Sequence, residues 1–355
     1  MDMDTKQIEK CIANFYGKKY CCFADNGTTA MYLYFLVTRD GRNKVLFPAI
    51  TCTNPVNAAL YTGLKVGFVD VDNLNYTIDF KSLDEYLSRD KDVMCVVPTH
   101  IYGHNYDREK IRFICSKYNV MCLEDSAQTY EVGNADASLV SFGHTKIFES
   151  GVGGGGILTD SFDVYQKMKA LKDSITNVHC DALDADYSKK YYSIMNNEDV
   201  DISIRYHQMH LFQLTTQKYF IHNTNINKRK IYEIFKRTDE MINSRKTKAK
   251  LYLDNLDRGK VILPSKIVYE KALWRFSFVY LGNRDDLLTK VRAKNIDISS
   301  WYPALNRMYE TDDCCPNAEY IADHIINLWV DENHTKEMIL KDVGVINSIM
   351  YSEVL

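Results

Sequence analysis

The sequence predicts an α/β fold in which a large domain, built on a mostly parallel sheet, precedes a small α+β domain. In residues 1–173, short apolar runs alternate with amphipathic segments at the spacing of a doubly wound parallel sheet. In the last hundred or so residues this rhythm changes to an alternating, half-buried strand pattern interleaved with helices. We therefore predict two domains, residues 1–250 and residues 251–355.

Local patterns predict each element of the large domain. Apolar runs predict buried strands, and amphipathic segments between them predict helices. The predicted strands are residues 45–48, 66–71, 93–98, 120–123, 137–142 and 157–159. The predicted helices are residues 5–16, 55–61, 81–88, 107–118 and 161–173. The turn signal Asn26-Gly27 opens a further apolar segment that extends to Val37.

The second half of the chain contains a polar segment and a different mixture of elements. Residues 176–200 are polar and predict a surface or active-site loop, and residues 205–250 predict mostly helix. The alternating pattern of residues 274–281 predicts a half-buried strand. The remaining predicted elements are a strand at 296–301 and helices at 284–294, 316–326 and 335–350.

Composition excludes several classes of protein. A net charge of −3 gives no electrostatic reason to expect binding to nucleic acid or to a membrane surface. No apolar run approaches the length of a membrane span, and the N-terminal sequence MDMDTKQIEK is too charged for a signal peptide. The ten cysteines show no CxxC spacing, so we expect reduced cysteines in a cytoplasmic protein and no metal site.

Residues 123–156 contain the strongest candidates for chemistry. Asp125 ends one apolar run, and Lys146 follows the next run across a turn. Ligands of open α/β sheets bind at the carboxyl ends of the strands, so an acid and a lysine there could hold opposite ends of one cofactor ring. The alternative is that Asp125 caps a turn and Lys146 is simply solvated.

Two glycine-containing segments suggest phosphate sites. Residues 151–156, GVGGGG, satisfy the dinucleotide pattern GxGxxG, but a strand-like segment follows where that motif requires a helix. A tight hairpin explains these glycines better. The turn at Asn26-Gly27 opens a helix whose free amides suit a phosphate, although a helix cap without a ligand is the commoner explanation of such a turn.

Several motifs together resemble one known family. They are NGTTA (26–30), PAITCTNPVNAALYTGLKVGFVDVD (48–72), HIYGHNYD (100–107), LEDSAQ (123–128), SFGHTK (141–146) and GVGGGGILTD (151–160). In these segments the sequence resembles the pyridoxal-phosphate-dependent sugar aminotransferases of the DegT/DnrJ type. The resemblance implies the aspartate aminotransferase-like fold, known as fold type I, with pyridoxal 5'-phosphate as cofactor.

The resemblance assigns a role to each matching residue. Lys146 would bind the cofactor aldehyde covalently and later act as the base that moves a proton. Asp125 would keep the pyridine nitrogen protonated, and Gln128 would hydrogen-bond the ring hydroxyl. The phosphate contacts implied by the resemblance are Gly27, Thr28, Thr29 and Ser141. The substrate contacts that it implies are His100, Tyr102, Arg205 and Tyr302.

Three positions depart from the family pattern. Cys52 stands where the family usually has an aromatic residue stacked on the pyridine ring. Ser203 stands where an asparagine usually reaches the phosphate of the partner subunit, and Val152 replaces a common glutamate. We nevertheless count Cys52 and Ser203 among the expected cofactor contacts, and we expect a homodimer that shares its active sites.

The implied function is transfer of an amino group from L-glutamate to a nucleotide-linked keto sugar, such as an NDP-4-keto-6-deoxyhexose. A non-catalytic protein of the same fold that senses the cofactor or a sugar is the main alternative. A sugar dehydratase of this fold would carry histidine in place of the lysine, so Lys146 argues against that activity.

Overall fold

A computed structural model of the chain describes residues 3–176, 178, 180–197, 199–224 and 226–352. The first sheet has seven strands in the order β1-β7-β6-β5-β4-β2-β3. Its strands are β1 (Tyr20–Ala24), β2 (Lys44–Pro48), β3 (Lys65–Val69), β4 (Val93–Val96), β5 (Met121–Asp125), β6 (Ala137–Ser141) and β7 (Gly155–Thr159). Strands β2 to β6 are parallel, whereas β7 and β1 run antiparallel to their neighbours. The predicted mostly parallel sheet is confirmed.

Helices flank this sheet and continue into the rest of the chain. Those that come before or between its strands are α1 (Thr5–Phe15), α2 (Gly27–Val37), α3 (Thr53–Tyr61), α4 (Phe80–Arg89) and α5 (Arg108–Lys117). Those that follow it are α6 (Phe162–Lys172), α7 (Asp181–Met195), α8 (Ile202–Thr215), α9 (Gln217–Phe220), α10 (Lys228–Phe235) and α11 (Thr238–Asn255). Strands β4, β5 and β6 are almost wholly buried, which agrees with their continuous apolar sequences.

A second, antiparallel sheet has its own core. Its strands, in the order β10-β11-β9-β8, are β8 (Val261–Ile262), β9 (Arg275–Tyr280), β10 (Ile298–Ser299) and β11 (Ile325–Trp329). The helices of this region are α12 (Arg284–Arg292), α13 (Leu305–Met308), α14 (Pro316–His324) and α15 (Lys336–Ser352). This second core gathers residues between Ala249 and Met350. The proposed boundary at residue 250 falls inside α11 and stays a prediction.

Three local predictions differ from the structure. The predicted loop at 176–200 contains α7, whose side chains are mostly exposed, with Ile194 as its buried residue. Because α7 buries so little apolar surface, its sequence has no amphipathic periodicity from which a helix could be predicted. Strand β1 was not predicted, and β11 begins at Ile325, inside the predicted helix 316–326.

All ten cysteines are unpaired. Within the described residues, no helix combines the length and the apolar character needed to cross a membrane.

Candidate active site

Asp125 occupies the carboxyl end of β5 and is 3% exposed. Its amide donates to the Pro98 carbonyl at 2.9 Å, and its carboxylate accepts from the Ala127 amide at 3.0 Å. Burial raises the pKa of Asp125, while the Ala127 amide and the charge of Lys146 act in the opposite direction. The carboxylate is thus held rigidly in a place where an added cation would stabilise its charge.

Lys146 lies in the turn that follows β6. Its amide donates to the Gly143 carbonyl at 3.0 Å, and its ammonium lies 5.9 Å from the centre of the Trp274 ring. The Trp274 indole N–H donates to the carbonyl of Thr145 at 2.5 Å, which fixes the turn against the second sheet. The chain thereby brings Lys146 to the same edge of the sheet as Asp125.

A buried ion pair holds the far side of this turn. Glu149, three residues after the lysine, pairs with Arg245 of α11. The same guanidinium donates to the carbonyls of Leu273 and Trp274 at 3.0 and 3.2 Å. Arg245 therefore links the lysine turn to the segment that leads through Trp274 into β9.

Gln128 is fixed between two tyrosines. Its Oε1 accepts from the Tyr102 amide at 2.6 Å, and its Nε2 donates to the Tyr302 hydroxyl at 3.3 Å. The Tyr302 amide donates to the Tyr102 hydroxyl at 3.0 Å, and the two rings stack with centroids 6.1 Å apart. Gln128 has a second N–H on Nε2, which remains able to donate to a ligand.

The start of α2 lies beside the end of β6. A Cβ on Gly155 would come within 2.7 Å of the Gly27 nitrogen, so glycine at 155 permits this close approach. A Cβ on Gly27 would lie 3.6 Å from the Ser141 hydroxyl. The amides of Gly27 and Thr28 have no acceptor among the described residues, as expected for a first helical turn. This helix start and the Ser141 hydroxyl together can bind an anion.

Thr29 makes different contacts from those that the sequence suggested. Its amide donates to the Asn26 side chain at 2.7 Å, which caps the helix. Its hydroxyl donates to the Phe220 carbonyl at 3.2 Å and accepts from the His222 amide at 3.3 Å. A phosphate can gain either group only if Thr29 gives up these bonds.

Cys52 is half-buried at the N-cap of α3. Burial raises the pKa values of Tyr302 and Tyr309, and the Cys52 thiol adds to both. The position at which the family pattern has an aromatic ring therefore holds a small thiol among tyrosines.

His100 lies behind the site rather than in it. The side chain is wholly buried, and its Nε2 lies 2.8 Å from the Glu124 carboxylate. Its Nδ1 lies 3.3 Å from the carbonyl of His104, and its ring stacks on Tyr106. Both ring nitrogens are thus occupied within the chain, which leaves neither for a substrate.

At the start of α8, Ser203 is exposed and Arg205 is half-buried. The Ser203 amide and hydroxyl both donate to the carboxylate of Asp201, which caps the start of α8. Arg205 donates to the Met195 carbonyl at 2.6 Å. Neither residue joins the group formed by Asp125, Gln128 and Lys146 within one chain.

Comparison with known proteins identifies the family. The model of the DegT/DnrJ/EryC1/StrS aminotransferase family matches residues 3–347. The chain belongs to this family. The predicted family and the aspartate aminotransferase-like fold are both confirmed.

Relatives within the family carry the names of sugar-nucleotide enzymes. The chain is 23% identical over 363 residues to the dTDP-3-amino-3,6-dideoxy-alpha-D-galactopyranose transaminase of Aneurinibacillus thermoaerophilus. This alignment covers 98% of this chain and 90% of that protein. It is 30% identical over 176 residues to the GDP-perosamine synthase of Caulobacter vibrioides. That alignment covers 47% of this chain and 46% of the relative, so the chain spans about half the length of the second protein.

A solved structure has the same fold. NtdA from Bacillus subtilis, with bound cofactor PMP, superposes with a TM-score of 0.70 at 19% sequence identity. The superposition covers 97% of this chain and 77% of the NtdA chain.

The motifs did not reveal two residues at this family site. Trp274 lies beneath the lysine, and Arg275 stacks on it with the guanidinium carbon 4.1 Å from the ring centre. One sign of them is visible in the sequence: in the predicted strand, the polar residues Arg275 and Ser277 alternate with the apolar residues Phe276 and Phe278. Burial and the neighbouring Arg245 lower the pKa of Arg275 to about 9, which leaves it cationic at neutral pH.

Proposed function

We propose that the protein is a pyridoxal-phosphate-dependent aminotransferase that moves an amino group from L-glutamate to a nucleotide-linked keto sugar. An NDP-4-keto-6-deoxyhexose is the proposed acceptor. The observation that carries the proposal is the meeting of Asp125, Gln128 and Lys146 at one edge of the sheet. The names of the relatives support a nucleotide-linked sugar as the substrate class.

The residues present suit pyridoxal phosphate. The buried Asp125 carboxylate would accept from the ring nitrogen, and the free N–H of Gln128 would donate to the ring hydroxyl. Gly27, Thr28 and Ser141 would bind the phosphate, since the first-turn amides and this hydroxyl are available donors. When bound, the cofactor supplies the conjugated ring that accepts the electron pair released at the substrate carbon.

Lys146 performs the proton chemistry in this proposal. Its amine would hold the cofactor through the aldehyde, and when free it would serve as the base that moves a proton at the substrate carbon. Trp274 packs beside the lysine, and the ring of Tyr302 stacks on Trp274 with centroids 6.3 Å apart.

We also propose a homodimer with shared active sites, in a reducing cytoplasm. Ser203 and the half-buried Arg205 bond to Asp201 and Met195 at the start of α8 rather than to the site of their own chain, and would serve the site of a partner. Unpaired cysteines suit a reducing compartment.

The absorbance of the purified protein tests the proposal. With pyridoxal phosphate added, the wild type should gain the visible band of the lysine-linked cofactor, and L-glutamate should bleach it. Lys146→Ala should abolish the borohydride-reducible link, whereas Lys250→Ala, at an exposed lysine on α11, should retain it. A wild type that stays colourless with added cofactor would contradict the proposal.

A substrate panel then tests the acceptor. Incubation with glutamate and individual nucleotide keto sugars, followed by mass spectrometry, should show replacement of a keto oxygen by an amino group. A coloured protein whose band is bleached by none of the amino donors tested, and which aminates none of the keto sugars, would instead support the non-catalytic sensor.

A further inference from the structure

Tyr102 adopts an unusual backbone conformation at the edge of the candidate active site. Its φ of 56° and ψ of 8° lie in the left-handed region, which an aromatic residue rarely occupies. Its side chain is wholly buried. Left-handed residues other than glycine persist where the surrounding structure holds them in place, and they cluster at functional sites. The contacts of Tyr102 show what holds this conformation.

The backbone of Tyr102 joins the two sheets. Its amide donates to Gln128 Oε1 at 2.6 Å, and its carbonyl accepts from the Trp274 amide at 2.8 Å. The next residue, Gly103, packs so closely on this segment that a Cβ there would lie 2.6 Å from the Trp274 nitrogen. The left-handed turn thus directs one side of Tyr102 to the segment after β5 and the other side to the residue before β9.

The hydroxyl of Tyr102 holds a third segment. It accepts from the Tyr302 amide at 3.0 Å and donates to the Trp301 carbonyl. Burial raises the pKa of Tyr102, so the hydroxyl keeps the proton for this bond at neutral pH. The rings of Tyr102 and Tyr302 stack with centroids 6.1 Å apart. This hydroxyl therefore fixes the backbone that carries the Tyr302 ring.

These contacts converge on the carboxamide of Gln128. A backbone amide can only donate, so the bond from Tyr102 fixes Oε1 as the atom that faces it and leaves Nε2 on the opposite side. The Tyr302 hydroxyl then accepts one Nε2 hydrogen at 3.3 Å. Without the two tyrosines, the carboxamide could rotate by half a turn and present its oxygen in place of an N–H. The second Nε2 hydrogen is thereby kept in a defined direction.

We propose that Tyr102 is a positioning residue, which acts through Gln128 to direct an N–H at the ring hydroxyl of the cofactor. This inference rests on the proposed aminotransferase function. It gives Tyr102 a role other than the predicted substrate contact, because the amide, carbonyl and hydroxyl of this residue are all bonded within the chain. Tyr102 would thus raise the affinity for the cofactor without contacting it.

Binding of pyridoxamine 5'-phosphate tests this role, because this form of the cofactor keeps the ring hydroxyl and forms no covalent link to Lys146. Calorimetry should show that Tyr102→Phe weakens its binding about tenfold, as expected when one hydrogen bond is no longer aligned. Binding of the 3-deoxy analogue, which lacks the ring hydroxyl, should change less than about twofold. Equal losses for the two ligands would overturn the proposal, because they would indicate a general structural role. Unchanged binding of both ligands by the folded variant would also overturn it.

A double-mutant cycle identifies the residue through which Tyr102 acts. Gln128→Ala should weaken binding of pyridoxamine 5'-phosphate about tenfold, and the addition of Tyr102→Phe should weaken it less than about twofold further. Losses that multiply to about 100-fold would overturn the proposal, because the two residues would then act independently. Tyr252→Phe is the matched control, since its buried hydroxyl donates to the Trp329 carbonyl of the second sheet at 3.0 Å. It should bind the ligand within about twofold of wild type.

Hydrogen exchange of the cofactor-free protein separates this inference from the function on which it rests. The Tyr302 amide should lose protection in Tyr102→Phe, and the Tyr102 amide should lose protection in Gln128→Ala, because each amide loses its acceptor. Unchanged protection in both variants would overturn the proposal. If Tyr102→Phe does not fold, as judged by thermal unfolding, Tyr302→Phe decides, since it removes the hydroxyl that accepts from Gln128. A wild type that binds no pyridoxamine 5'-phosphate, but whose variants lose this protection, would contradict the aminotransferase function while supporting the hold of Tyr102 on Gln128.

Discussion

Asp125 carries its carboxylate where ionisation is unfavourable without a partner. Burial is the largest influence on its pKa and raises it above the ordinary 3.8. Because the folded-state pKa is raised, ionisation costs stability as the pH rises from about 3.8 through the folded pKa, and the cost is constant above it. The ionised carboxylate of Asp125 therefore lowers the stability of the cofactor-free protein.

Asp125→Asn should consequently have opposite effects on stability and on activity. At pH 7.5 we expect the cofactor-free variant to gain about 1 kcal/mol of unfolding free energy, or roughly 2 °C, because the amide retains the Ala127 hydrogen bond without a buried charge. The gain should vanish below pH 3.8. The rate of bleaching by glutamate should fall at least 100-fold, since a neutral amide cannot keep the ring nitrogen protonated.

Thermal unfolding with and without pyridoxal phosphate measures these effects, with stopped-flow absorbance for the rate. A variant less stable than wild type in the absence of cofactor would contradict this account of Asp125.

Site residues that are close together in the sequence could be predicted, whereas those contributed by distant segments could not. Asp125, Gln128 and Lys146 lie within one stretch whose spacing is characteristic, so their grouping was foreseen. Tyr302 was assigned to the substrate, yet its hydroxyl accepts from Gln128. Arg275 was not foreseen at all, because its position over Trp274 depends on the packing of two sheets, which no local pattern encodes.

Three elements are joined behind the site by the buried carboxylate of Glu124. It accepts from Arg108 of α5 at 2.6 Å, from the Gly133 amide at 2.6 Å and from Ser138 of β6 at 3.0 Å. Burial opposes its charge, but His100, Arg108 and the Gly133 amide together hold the pKa of Glu124 well below its usual range. The turn that presents Tyr102 to Gln128 therefore depends on this carboxylate.

Glu124→Gln should destabilise the protein by about 3 kcal/mol at pH 7, because it leaves Arg108 and its neighbours without a buried anion. The lowered pKa makes this stabilisation fully present above pH 4.5 and lost as the pH falls through the folded pKa. The difference from wild type should thus shrink below pH 4.5.

Urea unfolding at pH 7 and pH 4 measures the effect. Glu85→Gln, at a half-exposed carboxylate on α4, should change stability by less than about 0.5 kcal/mol. A difference between Glu124→Gln and wild type that grows below pH 4.5 would refute the linkage.

At the scale of elements, the sequence foretold the strands better than the peripheral helices. Strands β4, β5 and β6 are buried on both faces, so their apolar runs are unambiguous. Helix α7 was predicted as loop because its apolar residues form no stripe. Strand β11 was partly predicted as helix because it follows α14 with no glycine or proline between them, and a short apolar run suits either element.

The whole molecule presents an unmatched apolar face on α8. Four aliphatic side chains of this helix are between 38% and 50% exposed, namely Ile202, Ile204, Leu211 and Leu214. Ile204 and Leu211 are seven residues apart and share one side of the helix. Ser203 and Arg205 lie at the start of the same helix. An interface formed on α8 would bury these aliphatic side chains, and it would also bring Ser203 and Arg205 to the site of the partner.

If the proposed dimer forms through this face, the wild type should be dimeric in sedimentation equilibrium and the double variant Ile204→Asp/Leu211→Asp monomeric, because two charges would be buried in an apolar interface. Its affinity for pyridoxal phosphate should fall about tenfold, as contacts from the partner are lost. Leu340→Asp, at an equally exposed position on α15, should remain dimeric and bind the cofactor normally. A monomeric double variant with unchanged cofactor affinity would show that the site is complete within one chain, and a dimeric one would place the interface elsewhere.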